Sequence, residues 1–495
     1  MTLTPTRDGS GAPPVVLIVL FRALDMRLML NTGLVEQLCR DTRVVLLAPP
    51  ELLPALRASL PEVSLEPLLY GSSKYESGAR TTAPIRRKLE SLLRETLRLT
   101  FGRPAGHENW TRLLHTATYR QSARSFGGRV AREAILALAW LACRARPVRR
   151  GLQRLAALVL RGRLHAPVFA RWRPKALVVC SVGLELDARL ILEARSHGVP
   201  SVAVVQSWDK TSSKGYPLAQ PDRVLVWSDI MANECEGFLD IPRAAVEVTG
   251  APIFDAYFDK SRRRPREAFL SDLGLDPSRT MIYCALCSPA WHAGNLELAQ
   301  LLGASAKENR FARPAALVLR VHPAYFDTAD PAVAGQRREL FDVLDRLGTS
   351  PHIHINRPDL SEQERTYTLN PSDIDFVTNL FASCDVSVSV LSTQMIEAAL
   401  FDRPIVAIEY GRWISTALTA DLATFRLEHL ERILDTGAAS RVRRPDDLVA
   451  AIDAALLDPA ARSDARSHLA RQEVSANWGG ATAATAAAIR AVAIR

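Results

Sequence analysis

Polar and apolar positions alternate most plainly between Asp385 and Tyr410. Val386, Val388 and Val390 are interleaved with Ser387 and Ser389, Ser392 and Thr393 stand where a helix would begin, and Pro404 opens a β-branched run. This order predicts strand, turn, helix, turn and second strand, which is half of an α/β nucleotide-binding unit. The same rhythm runs along most of the chain. Strands are predicted at Val15 to Phe21, Arg43 to Ala48 and Val63 to Leu68, with helices at Met26 to Arg40 and Glu51 to Ser59 between them. After a long interruption it resumes with strands at Ala176 to Val182, Ser201 to Gln206 and Arg223 to Trp227, and a helix at Glu185 to His197. A second series has strands at Met281 to Leu286 and Leu317 to Val321, a helix from Asp373 to about Ala382, and helical stretches at Asp446 to Leu457 and from Ser463 onward. Strands alternating with helices imply parallel sheets covered on both faces. The chain is therefore expected to form two α/β domains, residues 1–255 and 256–495.

The interruption, residues 80–173, is too long for a connection and reads as a basic helical insertion in the first domain, with helices at Ile85 to Leu99, Ala131 to Arg144 and Val148 to Leu160 and a break at Pro147. It changes the reading of the net charge of +9: from Arg80 to Lys175 there are 22 Lys/Arg against 4 Asp/Glu, while the rest of the chain has 40 against 49. Leucines beside arginines, with Trp140 among them, suit the headgroup region of an anionic membrane, and the plain alternative is a solvated basic face on a packed insertion. Aromatics interleaved with the basic residues are few and no nucleic-acid-binding signature accompanies them, so no nucleic-acid partner is expected. No stretch reaches 18 consecutive apolar residues, and Val15 to Phe21 is too short and poorly flanked for a signal-peptide core. The expected location is cytoplasmic and peripheral on the inner face of the cell membrane. The seven cysteines are scattered, and the one close pair, Cys284 and Cys287, has no second pair or histidine cluster to complete a zinc set.

Candidate chemistry gathers where loops follow strands, because ligands of open α/β sheets bind at the carboxyl ends of strands. The polar loop after Gln206 offers Asp209, Lys210 and Lys214 as phosphate or acceptor contacts. Arg320 ends a strand and is followed by His322 and Pro323. Ser392 and Thr393 open a helix, whose N–H groups and partial positive charge suit a phosphate, and Glu397 lies a turn further on, within reach of a ribose. Asp373 and Asp375 have metal-binding spacing but stand at a helix start, where capping accounts for them, so no metal ion or other cofactor is expected.

Two α/β domains, the turn Val-Thr-Gly-x-Pro-x-x-Asp ending at Asp255, Arg-x-His-Pro after a second-domain strand, and Ser-Thr before a helix carrying Glu-Ala together resemble the two-Rossmann GT-B glycosyltransferases. Within them the chain is most similar to bacterial enzymes of capsule and lipopolysaccharide assembly, including CMP-sugar transferases with His-Pro and Ser-Ser/Thr motifs and CDP-glycerol glycerophosphotransferases. The resemblance covers Val15 to Leu68 and Lys175 onward, and not the insertion. It implies two Rossmann-like domains facing a cleft. His322 and Pro323 would contact the donor phosphate, Ser392 and Thr393 would bind phosphate, and Glu397 would hold the ribose. UDP-N-acetylglucosamine 2-epimerases share the fold, but their double glycine after the serine is replaced here by Thr393 and Gln394. The acidic motif that supplies the base in CMP-sialic-acid transferases is not recognisable.

Glycosyl transfer needs a base for the acceptor hydroxyl and positive charge for the departing phosphate. The base candidates are Asp209 and Glu185, both just beyond first-domain strands. The leaving group falls to the Ser392 helix, His322, and Arg320 or Lys214. The expected partners are a nucleotide-sugar donor, a lipid-linked or glycan acceptor, and the anionic inner membrane surface through residues 80–173. A CDP-glycerol-type phosphotransferase, an epimerase-like enzyme and a non-catalytic binding protein of the same fold are the alternatives.

Overall fold

The computed structural model describes residues 12–69, 84–102, 112, 115–116, 119, 126–289, 292, 294–326, 331–358, 371–390, 392–410 and 427–494. Residues 80–83 and most of 103–125 of the insertion, and Ala290, Trp291 and Ala293 in the loop after Cys287, lie outside the described residues. The chain forms two compact α/β units, Met1–Asp255 with Val474–Arg495, and Ala256–Glu473.

The first unit is a seven-stranded parallel sheet in the order β3-β2-β1-β4-β5-β6-β7. Its strands are β1 Val15–Val19, β2 Arg43–Ala48, β3 Ser64–Pro67, β4 Ala176–Val179, β5 Ser201–Val204, β6 Arg223–Val226 and β7 Val246–Val248. Strands buried on both faces cannot alternate, and accordingly Val16 to Val19 and Ala176 to Val179 are all buried. The direction of winding reverses between β1 and β4, which pair in register Val16↔Ala176. β1 stops at Val19 and not at Phe21, because the Phe21 and Arg22 N–H groups turn to the Asp25 carboxylate, at 3.1 and 2.9 Å.

The expected helix from Met26 to Arg40 is two helices, Ala23–Met29 and Leu34–Cys39. Thr32 closes the first by donating its hydroxyl to the Leu28 carbonyl at 2.6 Å, and Gly33, at φ +76°, starts the second. Met26, Met29, Leu34 and Leu38 are all buried, so the apolar period carries through the break and masks it in the sequence.

The insertion contributes helices Pro84–Arg98, Phe126–Arg144, Arg146–Val159 and Ala166–Trp172. Pro147 falls in the first turn of the third, where its missing N–H costs nothing. The segment is fastened to the sheet by a buried charge network. Arg149 grips Asp240 with two bonds, Nε to Oδ2 at 2.7 Å and Nη2 to Oδ1 at 2.8 Å, and Tyr216 donates its hydroxyl to Asp240 at 2.9 Å. Arg146 approaches the same carboxylate at 3.3 Å. Gly215, at φ +81°, lies so close to the end of the first insertion helix that a Cβ would sit 2.3 Å from the Arg98 carbonyl oxygen. Part of the basic charge thus neutralises Asp240. Arg87, Lys88, Arg154 and Arg161 are among the basic side chains that are exposed, as are Ile85, Val130, Trp140, Leu155 and Leu158, and the Arg144 guanidinium covers the Trp140 ring at 3.8 Å.

The second unit is a six-stranded parallel sheet in the order β10-β9-β8-β11-β12-β13. Its strands are β8 Thr280–Ala285, β9 Ala315–Arg320, β10 Ile353–Asn356, β11 Val386–Val390, β12 Ile405–Ile408 and β13 Ala439–Val442. Winding reverses between β8 and β11. At the amino end of these two strands, the Asp385 carboxylate accepts from the Met281 N–H at 2.7 Å and from Arg266 at 2.9 Å.

Residues 474–495 belong to the first unit, whereas the sequence pattern assigned them to the second domain. The turn from Val248 to Asp255 explains their return. Asp255 caps helix Ala481–Ala493 by accepting from the Ala481 and Thr482 N–H groups at 3.1 and 2.7 Å. Thr249 accepts from Asn477 through its carbonyl at 3.2 Å and bonds the Thr485 hydroxyl at 3.0 Å. Gly250, at φ +85°, leaves room for the Ala476 carbonyl, which a Cβ would meet at 2.4 Å. This motif therefore anchors the C-terminal helix.

Candidate functional site

At the carboxyl edge of the first sheet, the loops after β1, β4 and β5 bring charged side chains together. Arg22 follows β1 and is clamped by two buried acids. Its Nε lies 3.1 Å from both Asp25 oxygens, and its two Nη atoms reach the Asp187 carboxylate at 3.0 Å. Burial pushes the Asp187 carboxyl up to about 7, and Arg22 restrains it from going further. Neither Arg22, Asp25 nor Asp187 was singled out in the sequence. The available sign was Arg-x-x-Asp closing an apolar strand, which reads as a helix start and nothing more.

Glu185 opens helix Glu185–Ser196. Its carboxylate bonds Arg94 of the insertion at 3.1 Å and Arg189 at 2.8 Å. Burial alone would raise it, but Arg189 and Arg94 outweigh burial and hold it below the usual carboxylate range. A carboxylate so held is a weaker base than a free one. Asp209 precedes the short helix Lys210–Ser213, and its partners include the Ser207 hydroxyl at 2.5 Å, the Ser213 hydroxyl at 3.0 Å and the Lys214 ammonium at 3.5 Å. Lys210 is half-buried. Burial, with Lys214 alongside, pushes its amine down to about 8. Just upstream, the Gln206 side chain is buried with neither its amide oxygen nor its nitrogen bonded among the described residues. A buried amide without a partner is where a ligand or water oxygen belongs.

At the carboxyl edge of the second sheet, Arg320 ends β9 and His322 follows. Arg320 is buried and bidentate to Asp373, at 2.7 and 2.8 Å, and it also donates to Asn356. Asp373 thus engages the guanidinium that was expected to help hold the donor. Asp373 in turn is an ion-pair partner and not a cap. His322 Nδ1 accepts the Ala324 N–H at 3.1 Å, across Pro323. The neutral ring therefore carries its proton on Nε2. Burial, reinforced by Arg320, lowers the imidazole to about 4, so it is uncharged near neutrality.

Ser392 and Thr393 follow β11, and helix Gln394–Leu400 has only seven residues. No side-chain bond caps it at Thr393, and the Ser392 hydroxyl accepts from the Gln394 N–H at 3.3 Å. The expected free amide cradle is thus partly filled by the turn itself. Glu397 is buried, with one carboxylate oxygen receiving the Tyr257 hydroxyl at 2.6 Å, which fixes the acid in place. In the loop after β8, His292 Nε2 bonds the Tyr410 carbonyl at 3.0 Å, and the Asn295 amide bonds the Cys287 backbone and the Tyr325 hydroxyl. Cys284 and Cys287 are free thiols, and burial pushes Cys287 up to about 12. Among the described residues no group of three or more His, Cys, Asp or Glu is placed to hold a metal ion. No helix among them is long and apolar enough to cross a membrane.

No family model matches the sequence, and no curated protein matches it. Solved structures do match along nearly the whole chain. A protein assigned as a UDP-N-acetylglucosamine 2-epimerase from Listeria monocytogenes superposes with a TM-score of 0.51 at 13% identity, covering 97% of this chain and 96% of its own. A glycosyltransferase from Rickettsia africae ESF-5 gives 0.49 at 10% identity over 97% and 98%. The UDP-GlcNAc 2-epimerase from Neisseria meningitidis, solved with UDP-GlcNAc, gives 0.49 at 12% identity over 96% and 100%. The architecture is α/β, with two Rossmann-like units.

Proposed function

We propose that the chain is a glycosyltransferase that moves a sugar from a nucleotide-activated donor to a lipid-linked or glycan acceptor of bacterial surface polysaccharide. The observation that carries this reading is His322. A neutral imidazole at the carboxyl end of a Rossmann strand, with Nδ1 locked as acceptor by Ala324, has an Nε2–H to donate to a phosphate oxygen. A nucleotide leaving group needs stabilisation of negative charge and no proton, so an uncharged donor suffices and the imidazole does not transfer one. Ser392 and Thr393 add hydroxyl contacts, and Glu397, oriented by Tyr257, accepts from the ribose. On the first unit, Lys210 supplies positive charge to phosphate or acceptor, with Lys214 beside it.

For the base, Asp209 is favoured over Glu185. Serine hydroxyls and Lys214 are among the groups at Asp209, and an acceptor hydroxyl can replace a serine there, whereas two arginines hold Glu185. The reading includes no metal ion. The exposed arginines and apolar side chains of the insertion helices would set the protein on an anionic membrane, where a lipid-linked acceptor resides.

The test is nucleotide release from a panel of CMP-, UDP- and GDP-sugars and CDP-glycerol, offered with lipid-linked and glycan acceptors. Acceptor-dependent release from one nucleotide sugar is the expected result. Turnover of CDP-glycerol alone would replace the reading with phosphotransfer. Absence of turnover, with no nucleotide stabilising the protein against heat, would replace it with a non-catalytic protein of the same fold.

A further inference from the structure

The amino edge of the first sheet, opposite the edge that carries Arg22 and Lys210, contains a hollow of ≈ 580 Å³. It is lined by the residues that lead into β4, β5 and β6, among them Arg173 and Lys175, His197, and Asp222 and Arg223. That volume is within the range of small-molecule sites, roughly 300–1,000 Å³. Three permanent cations and an imidazole face one carboxylate. The carboxylate is partly spent, since Asp222 Oδ2 accepts both the N–H and the hydroxyl of Ser201, at 2.8 and 2.7 Å. Arg223 donates to the Ala244 carbonyl and retains further N–H groups.

Arg173 and Lys175 are different. Both are exposed, and their side chains make no hydrogen bond or ion pair with the described residues. Arg173 also ends helix Ala166–Trp172 in the left-handed region, at φ 44°, a position that glycine or asparagine occupies with less strain. One wall of the hollow is flat: the His197 imidazole stacks on the Phe169 ring with centroids 4.7 Å apart and planes 6° from parallel.

From this geometry we infer a second anion site, on the amino edge of the first sheet, that binds a small soluble phosphate-bearing molecule through Arg173, Lys175 and Arg223. The three cations exceed the Asp222 carboxylate by two charges, which suits a phosphate or diphosphate group, and the arginines suit phosphate oxygens in paired contacts. The site shares no residue with the proposed transfer chemistry and does not depend on it.

The experiment is titration calorimetry of the full chain with inorganic pyrophosphate at fixed ionic strength. Its arms are the parent protein, the double variant Arg173→Gln with Lys175→Gln, and His322→Asn. Because both substituted side chains are exposed and unpartnered, the double variant should melt with the parent. The inference expects saturable binding to the parent, weakening of about tenfold or more in the double variant, and in His322→Asn a persisting site of parent affinity, whatever that variant loses at a separate site on the second unit. It is overturned if the parent does not bind, if the double variant binds equally well, or if only His322→Asn weakens binding. A fourth arm uses vesicles containing phosphatidic acid: capture by vesicles without pyrophosphate binding would assign the site to a lipid headgroup and overturn a soluble ligand.

Discussion

Replacing His322 by asparagine separates the two bonds its ring can make. Asparagine Oδ1 stands where Nδ1 stood and can still accept the Ala324 N–H, so the turn survives, but nothing replaces the Nε2–H. If that proton is donated to a phosphate, the variant loses one hydrogen bond to a charged group, worth about 1.5–3 kcal/mol, or roughly 10- to 150-fold in nucleotide affinity. Calorimetric titration with the nucleotide that best stabilises the parent reads this directly. The same variant has a signature in the unliganded protein. In the fold the imidazole is held down to about 4 by burial and Arg320, against an ordinary value of about 6.5. The unfolded chain therefore binds the extra proton in this window. The stabilisation is complete above pH ~6.5 and is lost as the pH falls to ~4, at most ~3 kcal/mol. In His322→Asn that slope should be missing, so the difference in unfolding free energy between parent and variant should change by about that amount from pH 7 to pH 4. Unchanged nucleotide affinity, or a histidine titrating above pH 6 in the nitrogen-15 spectrum of the parent, would refute the neutral-donor argument.

Two further outcomes follow from the insertion. Arg149→Leu leaves the buried Asp240 and Tyr216 without the guanidinium between them; breaking such a pair costs about 3–5 kcal/mol, here reduced to roughly 2–4 because Arg146 remains at 3.3 Å. Urea unfolding of the first unit measures it, and a loss below about 1 kcal/mol would mean that the neighbouring arginines share the pair fully. Neutralising the exposed Arg87, Lys88, Arg154 and Arg161 as glutamines should abolish salt-sensitive binding to anionic vesicles, at about 1 kcal/mol for each charge near the surface, and leave thermal stability unchanged. Equal binding of parent and variant, or of the parent to neutral vesicles in high salt, would refute the membrane assignment.

The α/β rhythm was legible because doubly covered strands tend to be continuous apolar runs, as Val16 to Val19 and Ala176 to Val179 are, whereas Val386 to Val390 alternates with Ser387 and Ser389 and is nevertheless buried throughout. The helix break at Gly33 was hidden by an apolar period that continues through it. Individual acids were harder to place. Glu185 and Asp209 both follow strands and look alike as letters, but Arg94, far away in sequence, occupies one of them. Arg320 was similarly claimed by Asp373, and Asp187 acquires its raised carboxyl from burial, with Asp25 adding to it and Arg22 opposing. Such pairings are long-range, and no local pattern announces them.

The return of helix Ala481–Ala493 to the first unit makes the second unit an insertion within the first. During synthesis, β4 and β5 emerge long before the helix that packs on them, and Asp255 has no N–H groups to cap until Ala481 and Thr482 are made. The second unit has all of its strands by Val442 and can finish folding first, while the earlier-made unit waits with part of its sheet uncovered. A released chain cut short after Glu473 should therefore contain a completed second unit and an unfinished first one, the reverse of the usual order of vectorial folding.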